Sequence, residues 1–267
     1  MQQIGLKEHG YVFIPHQIDK EIIKRLISKW IEFHSQPLEH KKTFVFGENG
    51  GYEYKGPEHP DFKENFHISL NYLENNIHTY NGIDMNFFNI ASAFIYENKD
   101  LIKEAVNIVT LGNLSELQVE EAVMNAQLRF IHYPSRDFVE GGILAIPHVD
   151  KGITIHFTED APGFQILWKG RWIDVGQMAN HILAYPGLLG QYYSKCEFPA
   201  LCHRVVNTKE TSEKGRNSIV MFIDPGNVTY NKSKYGKTQE TFSCGENYNL
   251  DFETFKEFFT TLENKVL

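Results

Sequence analysis

The sequence predicts a mainly β protein with flanking helices, and three observations carry that prediction. From about Gln127 onward the chain breaks into short apolar runs of strand length, separated by turn residues. Before that point, two stretches place apolar residues at helical spacing. No apolar run reaches the length of a membrane span, and 267 residues are enough for one generous core.

In chain order, Tyr11–Ile14 reads as an extended segment. A helix then starts at about Asp19, whose carboxylate can cap it. Its apolar stripe is Ile22, Ile23, Leu26, Ile27, Trp30 and Ile31. From about Lys42 to Pro60 the mixture of glycine, aromatic and charged residues lacks a period, which predicts irregular structure or short strands. Asn86–Val109 is expected to be helical, with Phe87, Phe88, Ile90, Phe94, Ile95, Leu101, Ile102 and Val106 apolar. The candidate strands are Leu128–Tyr133, Leu144–Val149, Ile153–Phe157, Phe164–Trp168, Arg171–Val175, Ile182–Tyr185, His203–Asn207 and Asn217–Ile223. Lys169-Gly170 predicts a tight hairpin turn, and Phe252–Leu262 a last helix. The architecture expected is helices wrapped on a jelly-roll, or double-stranded β-helix, core. We expect one domain over 1–267: a mixed segment to about 126, the core at 127–225, and an extension with a helix over 226–267.

Composition narrows the function. With 26 Lys+Arg against 34 Asp+Glu the net charge is −8, and no basic run could neutralise many phosphates, so a nucleic-acid partner is not expected. The polar start of the chain is neither a signal peptide nor an anchor. Three cysteines (Cys196, Cys202, Cys244) do not make a disulfide framework. A cytoplasmic location follows, where reducing conditions would also keep iron ferrous.

Successive side chains on a strand alternate faces, so residues i and i+2 share one. His148 and Asp150 end an apolar run and would project together. Arg216 and Ser218 open the apolar run Ile219–Ile223 and would do the same. With His203 the first pair forms a two-histidine, one-carboxylate set that leaves one face of a metal open, the ligand set of a non-haem Fe(II) oxygenase. An arginine and a serine entering an apolar strand need a buried anion or another hydrogen-bonding partner. A second His-x-Asp, His59-Pro60-Asp61, sits among turn residues and reads as a turn with exposed polar groups.

These stretches together, PHVDKGI, PGFQILWKGRWIDV, ILAYPGLLGQYYS, CHRVVN and GRNSIVMFIDP, with LRFIHYP and HGYVFIPHQIDKEI upstream, resemble the isopenicillin-N-synthase-like branch of the Fe(II)/2-oxoglutarate-dependent dioxygenases. The resemblance runs from about Gly10 to Pro225 and is strongest from Leu128 onward. It implies His148, Asp150 and His203 as iron ligands. It places Arg216 and Ser218, with Tyr133 as a further donor, on the distal carboxylate of 2-oxoglutarate. It also implies O2 as oxidant, with succinate and CO2 released as a C–H bond is oxidised. Many relatives carry Asn where this chain has Ile131, so a polar group is missing there.

Phe222 and Asp224 lie further along the face of Arg216 and Ser218 and are candidate substrate contacts, as are Tyr52, Phe66 and Tyr192 with less support. His132, His156 and His181 read as structural or surface histidines. The expected substrate is a small molecule such as an amino acid or natural-product intermediate. Three alternatives stay open: an iron oxidase of the same family that dispenses with 2-oxoglutarate, oxidation of a peptide side chain, and a jelly-roll binding protein without catalysis. Oligomeric state is unreadable.

Overall fold

The structure, a computed structural model, describes residues 2–225 apart from 45–49, 60, 71–81, 159–160, 177 and 196, together with 242–243 and 249–250. The expected helix over Phe252–Leu262 lies outside the described residues. In chain order the chain forms α1 (Gln2–His9), β1 (Val12–Pro15), α2 (Lys20–His34), α3 (Leu38–Lys41), β2 (Gly50–Lys55) and β3 (Lys63–Ile68). Three helices follow, α4 (Gly82–Glu97), α5 (Lys99–Thr110) and α6 (Glu116–Met124). The remainder is β4 (Gln127–Tyr133), β5 (Ile143–His148), β6 (Ile153–His156), β7 (Phe164–Trp168), β8 (Arg171–Asp174), β9 (His181–Pro186), α7 (Leu188–Tyr193), β10 (His203–Val206), α8 (Lys209–Lys214) and β11 (Arg216–Ile223). No helix among the described residues is long and apolar enough to cross a membrane.

Strands β1 to β11 build two antiparallel sheets, and Phe242–Ser243 pairs with Asn249–Leu250 in a separate two-stranded ladder. The larger runs β1-β9-β6-β11-β4-β3-β2 and the smaller β5-β10-β7-β8. This is the jelly-roll arrangement, in which the inner faces of the two sheets meet and helices cover the outside. Alternation along β4 separates two cores. Leu128 and Phe130 face the helices, whereas Ile131 and Tyr133 join Leu144, Phe164, Tyr185 and Val220 between the sheets.

The outer core explains why α2 sits where it does. Asp19 caps it, its Oδ1 accepting from the Glu21 N–H at 2.9 Å. Its buried residues Leu26, Trp30 and Phe33 lie on the larger sheet. The Trp30 ring is 6.0 Å from Phe130, and the Phe33 ring is 5.0 Å and edge-on to Phe66. Ile31, counted in the predicted stripe, is instead 41% exposed at its margin. The helical span expected over Asn86–Val109 is two helices. Asn98 stops α4 by donating its side-chain N–H to the Phe94 carbonyl at 2.8 Å.

The Lys169-Gly170 turn joins β7 to β8 with positive φ at both residues (49° and 76°) and Trp168 opposite Arg171. Strand β3, absent from the expected elements, completes the inner wall. Phe66 and Ile68 point to the helices, while Asn65 and His67 pair with Ile131 and Arg129 and share their inward face.

Candidate metal centre and its anion pocket

Register brings the two histidines together. β5 and β10 run antiparallel with His148 directly opposite His203, and their ring centroids are 4.3 Å apart. After His148 the chain turns through Asp150, and the start of α7 pins that turn. The N–H groups of Gly187, Leu188 and Leu189 donate to the carbonyls of Gly152 (2.7 Å), Asp150 (3.0 Å) and Lys151 (2.8 Å). Backbones approach so closely that a Cβ on Gly187 would lie 2.3 Å from the Asp150 carbonyl oxygen, and one on Gly152 would lie 2.1 Å from that of Ile223. Both glycines therefore set where the carboxylate stands.

His148 Nε2 is 3.7 Å from Asp150 Oδ1, and His203 Nε2 is 3.6 Å from Asp150 Oδ2. One ligand atom from each residue falls within 4.8 Å of the others. The other ring nitrogens face backbone carbonyls: His148 Nδ1 is 2.7 Å from the Ile146 oxygen and His203 Nδ1 is 3.1 Å from the Leu201 oxygen. A carbonyl only accepts, so each Nδ1 carries the proton and each Nε2 turns its lone pair toward Asp150. Two neutral nitrogen donors and one carboxylate fit a first-row divalent metal with open coordination positions.

The charge states agree. Burial alone would raise the Asp150 carboxyl. The imidazoles of His203 and His148, the Thr154 hydroxyl and the Arg129 charge outweigh it and bring it down to about 2. Burial lowers His203 to about 4, against the opposing pull of Asp150, so it is neutral at neutral pH. Thr154 Oγ1 donates to Asp150 Oδ2 at 2.6 Å and the Tyr185 hydroxyl donates to it at 3.2 Å. Those two bonds leave Oδ1 as the oxygen with freer lone pairs.

The second cluster surrounds Arg216, which is only 4% exposed. Its Nε donates to the Pro162 carbonyl (3.0 Å), one terminal nitrogen to the Ala161 carbonyl (3.1 Å), and the other to Ser218 Oγ (3.0 Å). Tyr133 lies directly opposite on β4. Among the described residues no carboxylate is within ion-pair distance of this guanidinium, and burial lowers its pKa. A buried cation without a counter-ion is costly, so the pocket fits an anion. Outside it, a groove of about 500 Å³ between α2 and the α8–β11 turn reaches Arg216 but holds none of the metal-facing residues.

Other expected residues separate cleanly. Phe222 faces inward, its ring 4.1 Å from the Arg129 guanidinium carbon. Asp224 forms an ion pair with Lys151 at 2.5 Å. Tyr52 and Phe66 do not reach the site: they are paired on the helix-facing side of β2 and β3. There Tyr52 donates to Glu64 and Phe66 packs on Phe33. Their aromatic character serves the outer core. Tyr192 is 39% exposed on α7, against Tyr193. His132 points outward, stacked 4.1 Å from His34. His156 is inward, 3.1 Å from the Tyr185 hydroxyl, and burial first, then the Arg216 charge, lowers it to about 3. Of the second His-x-Asp, Asp61 is 9% exposed and paired with Lys55 and Lys63, where an exposed polar group was expected.

Sequence reasoning passed over Thr154, Tyr185 and Arg129. Thr154 shares the alternation of His156, and Arg129 that of Tyr133, so the period-two signal was present for both. Nothing local marks Tyr185.

Comparison with known proteins agrees with this arrangement. The 2OG-Fe(II) oxygenase superfamily matches residues 124–225. The 2-oxoglutarate-dependent dioxygenase gloE of Glarea lozoyensis is 21% identical over 237 residues, covering 83% of this chain and 70% of that protein. Leucoanthocyanidin dioxygenase of Petunia hybrida is 22% identical over 79% of this chain, which spans only 52% of its length. Among solved structures, a full-length Neurospora crassa protein in complex with alpha-KG superposes with a TM-score of 0.67 at 22% identity, over 85% of this chain and 78% of that one. The segment that matches the 2OG-Fe(II) oxygenase superfamily contains His148, Asp150, His203, Arg216, Ser218 and Tyr133.

Proposed function

We propose that this chain is a 2-oxoglutarate-dependent oxygenase that holds Fe(II) through His148 Nε2, Asp150 Oδ1 and His203 Nε2, and oxidises a C–H bond of a small molecule. The observation that carries the proposal is the presence of a metal-ready triad on the smaller sheet and its following turn, together with a buried guanidinium lacking a counter-ion on the larger sheet. When bound, iron with 2-oxoglutarate and O2 supplies the oxidation: one oxygen atom ends in succinate, the other on the substrate, and CO2 leaves.

The chain's own residues supply position and dryness. Arg216 would grip the distal carboxylate of 2-oxoglutarate through its fork of N–H groups, which a lysine cannot reproduce. Ser218 and the Tyr133 hydroxyl would add hydrogen bonds to the same group. Carbonyls of Ala161 and Pro162 already fix the plane of the guanidinium, so little ordering remains for binding. Thr154 and Tyr185 hold the Asp150 carboxylate in one orientation. Ile131, Leu144 and Val220 line the interior and exclude water.

A small-molecule substrate is supported by the Neurospora crassa protein, which has this fold and has also been solved with thymine. We take 1–267 to act as one unit, with 1–126 covering the larger sheet and 127–225 carrying the chemistry. The reducing cytoplasm suits ferrous iron and the Cys202 thiol. The test is stoichiometry. Fe(II)-loaded protein, 2-oxoglutarate and a small-molecule panel should give one succinate per oxidised product. Product formed without 2-oxoglutarate would identify an iron oxidase and contradict the proposal.

A further inference from the structure

The inner face carries a second guanidinium that the chemistry above does not use. Arg129 sits on β4 opposite Val220 of β11, two residues along that strand from Ser218. Its guanidinium is buried while the residue as a whole keeps partial contact with solvent. Its guanidinium lies flat against Phe222 at 4.1 Å. Among the described residues its Nε has no hydrogen-bond partner, and no carboxylate comes within ion-pair distance of it. Its charge is felt by Asp150 of the metal-facing triad, and it feels Glu53 across the same face in turn.

The strands beyond it continue the same face with polar groups. His67 is directly opposite Arg129 and Asn65 directly opposite Ile131. Asn65 is fully buried, its Nδ2 donates to Glu53 at 2.8 Å, and its Oδ1 has no partner. An amide thus stands one strand away from the position where Ile131 leaves a gap. Arg129 Nε calls for an acceptor, which a carboxylate supplies, and Asn65 Oδ1 calls for a donor, which an N–H or O–H elsewhere on a polar acid supplies; a purely apolar substrate would leave both unmet.

We infer that Arg129 is a specificity-determining residue, and that the substrate is a small carboxylic acid whose carboxylate sits on Arg129 against Phe222, with Asn65, His67 and Glu53 as the polar wall. This rests on the oxygenase reading above and names the substrate class for the same site. Two buried guanidiniums then divide two carboxylates between them, the co-substrate's on Arg216 and the substrate's on Arg129.

The experiment is calorimetric titration of protein loaded with Mn(II) and 2-oxoglutarate. The probes are the common amino acids, short 2-hydroxy acids and simple aromatic acids, each beside its primary amide. At least one acid should bind about tenfold or more tightly than its amide, the scale of a charge-assisted pair. That preference should vanish in Arg129→Gln and survive, weakened, in Arg129→Lys, while both variants bind 2-oxoglutarate as wild type does. A neutral compound that binds as well as its acid and is indifferent to Arg129→Gln overturns the assignment, as does a panel in which no acid binds. Loss of 2-oxoglutarate binding in Arg129→Gln also overturns it, by moving Arg129 to the co-substrate. If wild-type protein with Mn(II) fails to bind 2-oxoglutarate, the oxygenase reading itself fails and this one with it.

Discussion

Arg216 and Arg129 stand on neighbouring strands of one sheet and face the same interior, but they are held in different ways. Arg216 is fixed by two backbone carbonyls and Ser218, and its opening is shaped before any ligand arrives. Arg129 leans on an aromatic ring and leaves its Nε unmatched. The first arrangement suits a partner that never changes, and the second suits the group that distinguishes one substrate from another. A shared fold can thus keep its co-substrate end rigid and vary its substrate end through strands β2 and β3.

The strongest way to break the comparison is to remove what both ends share. His203→Ala leaves two of three metal-facing groups, and Fe(II) affinity measured by competition with a chelator should fall by a hundredfold or more, on the order of 3 kcal/mol. Arg216→Ala comes next. Affinity for 2-oxoglutarate should drop about a hundredfold with Fe(II) affinity unchanged, and Arg216→Lys should recover only part. An equal loss of both would mean the two sites are not separable.

The neutrality of the interior gives a third test. Folding holds His156 at about 3 and His203 at about 4, against 6.5 for a free imidazole. The unfolded chain takes up protons near pH 6.5 that the folded one refuses until well below pH 5, so stability falls as pH drops through that window. Asp150 adds nothing there: its depressed carboxyl supplies stability that is lost only below about pH 4. At about 1.4 kcal/mol per proton and pH unit, metal-free protein should melt roughly 5–10 °C lower at pH 5.5 than at 7.5. A flat profile would mean those histidines are charged.

Smaller effects sharpen the picture. Tyr185→Phe removes one donor to Asp150 Oδ2 and should weaken Fe(II) binding by about tenfold. Tyr52→Phe removes a hydrogen bond to Glu64 on the far side of the sheet. It should cost about 1 kcal/mol of stability in denaturant unfolding and leave substrate choice untouched. A changed substrate profile would put Tyr52 back in the site.

The same contrast explains what could be read from the sequence. The proposed co-substrate end is legible because its signals are local: Arg216 and Ser218 are i and i+2 on one strand, as His148 and Asp150 are at a strand end. Period-two alternation alone brings each pair to one face. The strands Phe164–Trp168 and Arg171–Asp174 and their turn were readable for a similar reason, since Lys169-Gly170 announces the hairpin. The substrate wall was not. β3 reads Lys-Glu-Asn-Phe-His-Ile, and its inward residues Lys63, Asn65 and His67 are polar, so the hydrophobic pattern that marks a strand is missing. Tyr52 and Phe66, weaker candidate substrate contacts in the sequence, are sent by register to the helices, and register between distant strands is not written in either strand alone. The capping boxes at Ser115 and Thr208 that open α6 and α8 were there to be found in the sequence.

Anaerobic titration of metal-free protein with Fe(II) and then 2-oxoglutarate, followed by visible absorption, tests the central claim most directly. A weak charge-transfer band should appear only after both additions, disappear in His203→Ala and Arg216→Ala, and persist in Arg129→Gln. Iron binding without a band would contradict the assignment of Arg216 to 2-oxoglutarate, and no iron binding would contradict the triad.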